Sequence, residues 1–339
     1  MRHKLITLLA ILKTNFSKYL NLCKIYLQEH TCNLSEISFN FIIICIIIFF
    51  ILYYPLGALL TEKIDRAPDV EISVDAPNQS HALNAISYLI NQQVNDKIWT
   101  PNLPFFFPAA ILDNMPNYQL GILDSLSKFT AAYEKCLDKN LPNKENISPL
   151  YKAAVLLRYP GTIWMFSPNN KIKPVPSAVS QYRKARRHLI KYNEIIAKNN
   201  LTLDKTASDL AIITKKVNLS LAQSNNQLKA QIRENSSNWF DLKADDIFYY
   251  NQGKVYAYAI LLKALGQDYK DIIVKQNQYQ NWISLTKALE KACNIQPSVI
   301  RNGELSSMTA PNHLAYLNNY ILRARFAIEK INTKLLSGK

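Results

Sequence analysis

The chain has 339 residues, 48% of them apolar and 19% charged, which excludes bulk disorder and supplies enough apolar side chains for a sizeable core. Lys and Arg number 40 against 25 Asp and Glu, a net charge of +15, a bias that favours anionic surfaces. Only 7 glycines are present, which leaves few sites for phosphate-cradling loops or tight hairpins and points towards helices.

The chain opens with a basic start and an apolar run from Leu5 to Leu12, as a signal peptide does, but no small-x-small cleavage site follows. Leu5, Leu8, Leu9, Leu12, Phe16, Tyr19, Leu20 and Cys23 recur at three- and four-residue steps. Residues 1–36 are therefore expected to form a cytoplasmic, basic amphipathic tail whose lysines lie near lipid headgroups.

Residues 37–60 carry no charge, and Phe41 to Leu52 are all apolar. A helix rising about 1.5 Å per residue needs about 20 such residues to cross the hydrocarbon layer, so a transmembrane helix is expected here. Tyr53 and Tyr54 stand near its exit, where amphipathic rings favour headgroups. Arg2, Lys4, Lys13, Lys18 and Lys24 precede the span, and only Lys63 and Arg66 closely follow it. This bias places the N-terminus inside and the rest outside, in a single-pass inner-membrane protein with a periplasmic C-terminal domain.

Residues 61–80 are polar and hold two prolines, the composition of a linker. Residues 81–336 then show helical patterning almost throughout. Helices are expected over 81–94, 118–137, 149–157, 177–200, 202–234, 241–265, 279–293 and 311–336. Ser177 is a plausible N-cap, and Gly266 a plausible C-terminal stop. Leu203, Leu210, Ile213, Val217, Leu221, Leu228 and Ile232 give the longest helix one apolar face, as in a bundle. No run of alternating strands is evident. The fold expected is all-α: one N-terminal transmembrane helix followed by an extracytoplasmic helical bundle.

The segment PNLPFFFPAAILDNMPNYQLG, residues 101–121, stands apart. Pro101, Pro104 and Pro108 disfavour helix at the residues before them, so Phe105, Phe106 and Phe107 are expected in an irregular stretch. At least one ring should wedge into the core, and another would remain available for docking to a partner or the membrane surface.

Three segments, WTPNLPFFFPAAILDNMPNYQLGIL, NWFDLKADDIFYYNQGKVYAYAILLKALG and PNHLAYLNNYILRAR, together with LLRYPGTIWMF and QYRKARR, resemble the bacterial domain-of-unknown-function family 2333. The resemblance runs from about residue 50 to the C-terminus. It implies a single-span envelope protein of Gram-negative bacteria and carries no established activity. The first 35 or so residues depart from the shorter N-terminus it implies.

Chemistry-bearing clusters are few. Asp241 and Asp245 share a helix face at i,i+4, where two carboxylates could bind a cation or act as an acid/base pair, or simply complement the helix dipole. His313 could meet that face. No zinc-protease spacing, nucleophile elbow, phosphate loop or dinucleotide fingerprint occurs, and neither a metal nor a cofactor is expected. Arg183, Arg186, Arg187 and Lys191 form a stripe suited to phosphates of lipid or another anionic polymer, or to a solvated face. Phe248, Tyr249, Tyr256 and Tyr258 suit core packing or a groove. Cys136 and Cys293 are either two buried thiols or a disulfide. The function expected is a non-catalytic envelope scaffold or adaptor, partnered by the cytoplasmic membrane and an envelope protein but not by nucleic acid. An anionic lipid or polymer binder and a carboxylate-dependent hydrolase stand as alternatives.

Overall fold

The computed structural model describes residues 39–61, 64–65, 67–74, 76, 78–137, 148–167, 170–198, 205–235, 242–297, 299–303 and 311–337. The expected tail and Asp241 lie outside them. The chain divides between Pro55 and Leu56 into two units, each described by itself.

The first unit contributes most of helix α1, Phe39–Thr61. Residues 41–61 are long and apolar enough to cross a bilayer by length and composition, and none of the most apolar window is buried by protein. At 23 residues the helix extends about 35 Å.

The second unit is helical, as the periodicity requires. It comprises α2 (His81–Asn91), α3 (Asn114–Leu137), α4 (Pro149–Leu156), α5 (Ala178–Lys198), α6 (Ala207–Asn235), α7 (Leu242–Asp268), α8 (Lys270–Lys275), α9 (Tyr279–Cys293) and α10 (His313–Ser337). The one sheet among the described residues is a hairpin, β1 (Phe166–Ser167) with β2 (Asn170–Pro174), too short to register as alternation in the sequence.

Local chemistry sets the helix starts. Ser80 Oγ accepts from Leu83 N at 3.1 Å, Ser148 Oγ from Leu150 N at 3.1 Å, and Ser177 Oγ from Ser180 N at 3.3 Å. At α6, Asp209 N donates to Thr206 Oγ1 while Thr206 N donates to Asp209 Oδ2, both 3.1 Å, a reciprocal box.

Helix α7 is the axis of the body and packs against α3, α9 and α2. It is buried all round from Asn251 to Leu262, which is why its sequence shows no single apolar stripe. The α3–α7 crossing is held by two glycines. A side chain on Gly121 would collide with the Tyr250 carbonyl oxygen, and one on Gly253 with that of Tyr118. Gly266 does not end α7, contrary to expectation. The helix continues to Asp268, and the glycine instead admits the Trp282 indole, whose atoms occupy the space of a side chain there.

Helix α10 packs on α6 and α9, and α4 and α2 pack on α5. Leu210, Ile213, Val217, Leu221 and Leu228 of α6 are buried as their spacing predicts. Phe248, Tyr256 and Tyr258 are core residues, whereas Tyr249 is only partly buried. Cys136 and Cys293 are unbridged buried thiols.

The stretch that leads to α2 lies against the helices. Asp65 pairs with Lys97, and its carbonyl accepts from the Tyr118 hydroxyl at 2.7 Å. Lys263 reaches the Pro68 carbonyl at 3.2 Å, and Asn84 the Ser73 carbonyl at 2.9 Å. Val70 and Ile72 pack on the core.

Candidate functional site

The Phe-Pro loop is built on a buried polar base. Pro101 lies in a 3-10 turn, Thr100–Asn102, and Pro108 begins another, Pro108–Ile111. Thr100 N and Oγ1 both donate to Gln119 Oε1 at 2.8 Å, and Gln119 Nε2 donates to the Ile98 carbonyl at 3.0 Å. The Trp99 indole N–H donates to the Gly161 carbonyl at 2.8 Å, and Asn102 Nδ2 to that of Ile163 at 2.9 Å. These bonds tie the loop to the segment before β1.

The space beneath is filled by Trp99, Met115 and Tyr118, all buried. No phenylalanine of the block enters it: Phe105, Phe106 and Phe107 are 83%, 49% and 41% exposed. The expected core wedge is thereby corrected. The prolines turn the backbone outwards while Trp99 takes the core position. Phe106 meets Trp164 edge-on at 6.0 Å, and Met165 and Phe166 continue the surface at 40% and 43% exposure. The result is an apolar patch from two loops far apart in sequence. The signal for its second half was the charge-free run over residues 159–170.

The basic stripe is unequal. Arg183 is tied to Asn95 Oδ1 at 2.8 Å and the Val94 carbonyl at 3.0 Å. Arg186 is half-buried, and its Nε has no hydrogen-bond partner among the described residues. Arg187 and Lys191 are exposed, and with Lys152 they surround His188. Burial first, then these three cations, hold the His188 imidazole below its ordinary pKa.

Asp245 is half-buried on α7. Its neighbour Asp246 accepts from Asn117 Nδ2 at 2.7 Å, and burial and Asp113 push its carboxyl up. His313 Nδ1 accepts from Arg301 N at 3.0 Å, and burial and Arg301 lower its pKa. No group of three His, Cys, Asp or Glu suited to a metal occurs among the described residues.

A concavity of about 840 Å³ runs between residues 69–73, the end of α7 and α9. Lys263, Lys270 and His81 edge it, and Tyr279 and Trp282 line it. Lys263 is held by Glu290 at 2.6 Å and Asp69 at 3.2 Å, and the Trp282 Nε1 has no hydrogen-bond partner among the described residues.

Two buried charges were not singled out from sequence. Lys254 of α7 lies 3.1 Å from Asp124 of α3 and donates to the Ser220 carbonyl of α6 at 3.3 Å. Burial lowers its pKa, although Asp124 opposes that. Asp268 ends α7 and receives the N-terminus of α2, with His81 N at 2.9 Å and Ala82 N at 3.0 Å.

The model of a family described as an uncharacterized protein conserved in bacteria (DUF2333) matches residues 102–338. The chain belongs to this family. No curated protein and no solved structure matches it. The DUF2333 match begins inside the Phe-Pro loop and runs to the end of α10, so the aromatic patch, the basic stripe and the buried charges all lie within it or at its edge. Helix α1 lies outside it.

Proposed function

We propose that this DUF2333 protein is a membrane-anchored, non-catalytic envelope scaffold or adaptor. Helix α1 is its single span, the N-terminus faces the cytoplasm, and the helical body is periplasmic. The observation that carries the reading is α1 itself, a charge-free helix of full bilayer length whose most apolar window no described residue buries. The body suits a rigid platform. Two of its buried charged side chains, Asp268 and Lys254, join helices to one another.

Crosslinking of the full chain in cells, followed by mass spectrometry, tests the adaptor role. Reproducible recovery of an envelope protein neighbour is expected, and none above an untagged background contradicts it. A reporter that folds only in the periplasm, fused after Lys339, is expected to be active, and inactivity contradicts the orientation.

The cationic crowding around His188 favours a second reading, an anionic lipid or polymer site at Arg187, Lys191 and Lys152. Charge reversal at Arg187 and Lys191 is then expected to abolish salt-sensitive sedimentation with anionic vesicles. Unchanged sedimentation contradicts it.

A further inference from the structure

We infer that the aromatic patch formed by Phe105, Phe106, Phe107, Trp164, Met165 and Phe166 seats in the headgroup layer of the bilayer that α1 spans, so that the body is fastened to the membrane at a second place. The inference rests on the anchoring proposed above.

Four observations carry it. The first is proximity. Gly57, in the last turns of α1, touches Pro108, and a side chain at Gly57 would collide with the proline ring. Pro108 directly follows the three phenylalanines, so the patch begins beside the last residues of α1.

The second is rigidity. Asp65 stands four residues beyond Thr61, a contour of at most about 14 Å. It is fixed by Lys97, which immediately precedes the loop, and by Tyr118 at 2.7 Å. The chain that follows α1 is therefore strapped to the base of the patch.

The third is chemistry. Residues 98–112 and 159–170 contain no charged side chain, in a protein with 65 Lys, Arg, Asp and Glu. Ile98 and Ile111, 53% and 57% exposed, extend the apolar surface. Phe and Trp are among the side chains that interfacial segments bury at the boundary of headgroups and acyl chains. Trp in particular favours that depth.

The fourth is the flanking charge. Lys171 and Lys173 follow in the sequence on β2, and cationic residues that flank an interfacial segment suit lipid phosphates. A protein partner would be read by polar contacts around the apolar centre, and these two loops offer few.

Photocrosslinking in the full chain tests the inference without removing any native contact. Benzoylphenylalanine replaces Phe105, Phe166, Phe49 or Phe326, one at a time, in cells, and adducts are identified by mass spectrometry. Phe49 lies mid-helix in α1, and Phe326 is 61% exposed on α10, outside the patch. Lipid adducts are expected at positions 105, 166 and 49 and absent at 326. Lipid adducts at 49 without any at 105 and 166 overturn the inference and leave the anchor standing. Protein adducts at 105 and 166 overturn it in favour of a docking partner. Loss of lipid adducts at 49 as well overturns both the anchor and the inference that rests on it.

Discussion

Asp268 and Ser80, 188 residues apart, meet through a 2.7 Å hydrogen bond from the Ser80 hydroxyl to Asp268 Oδ2. Ser80 is the N-cap of α2, and Asp268 is the last residue of α7. A carboxylate at the end of its own helix is unfavourably placed. Here it also lies at the positive end of a second helix and receives its first amides. Tyr133 of α3 donates to the same oxygen at 2.9 Å, and Lys205 stands 3.9 Å from the other. Asn193 of α5 closes the cluster by accepting from Ser80 N at 2.9 Å. One buried carboxylate thus joins α2, α3 and α7, and Ser80 ties α5 to them.

Replacing Asp268 removes that junction. Asp268→Ala is expected to cost roughly 3 kcal/mol, since it leaves buried donors unmet. Denaturant unfolding of the full chain in detergent measures it. Burial pushes the Asp268 carboxyl up, but His81, Lys205, Ser80 and the Ala82 amide together hold it below the ordinary value. Its contribution is therefore present above the unfolded carboxyl pKa of about 3.9 and lost as pH falls through the lower folded value. The variant is expected to show a weaker acid dependence of stability over that window.

The α3–α7 crossing makes a sharper structural prediction. Gly121→Ala and Gly253→Ala each place a methyl against a backbone carbonyl, which side-chain movement cannot relieve. Each is expected to destabilise by at least about 1–3 kcal/mol. A melting temperature equal to wild type in either variant contradicts the close approach.

The Lys254–Asp124 pair predicts an asymmetry. Asp124→Ala strands a buried ammonium and is expected to cost about 3–5 kcal/mol. Lys254→Met removes the desolvated charge and leaves Asp124 with Lys128 at 2.8 Å, so its cost is expected to be smaller. Equal costs contradict the reading of Lys254 as the group that depends on its partner.

For the aromatic patch, the sequence leads one to expect Phe106→Ser to act on stability. With Phe106 half exposed, the substitution is expected to change unfolding by no more than about 0.5 kcal/mol. A large loss of stability contradicts the outward placement of the block.

Periodicity made the helical architecture legible. The Leu210-to-Leu228 spacing drew the buried face of α6, and Ser177 marked the start of α5. Helix α7 was legible as a helix but not as the centre, because burial on every side erases the amphipathic signal by which a helix is placed. Gly266 misled because glycine both ends helices and allows close packing, and only the position of Trp282 decides between them. The Phe block misled for a related reason. Proline spacing fixes where the backbone turns but not which neighbouring aromatic, here Trp99, takes the core. Asp268 and Lys254 were invisible because their partners are 188 and 130 residues away, at Ser80 and Asp124.

On the reading proposed above, α1 holds the body at a membrane. An alkaline carbonate wash of membranes from cells making the full chain tests it directly. The protein is expected to stay in the pellet and to be released only by detergent. Its appearance in the carbonate supernatant is incompatible with a spanning α1.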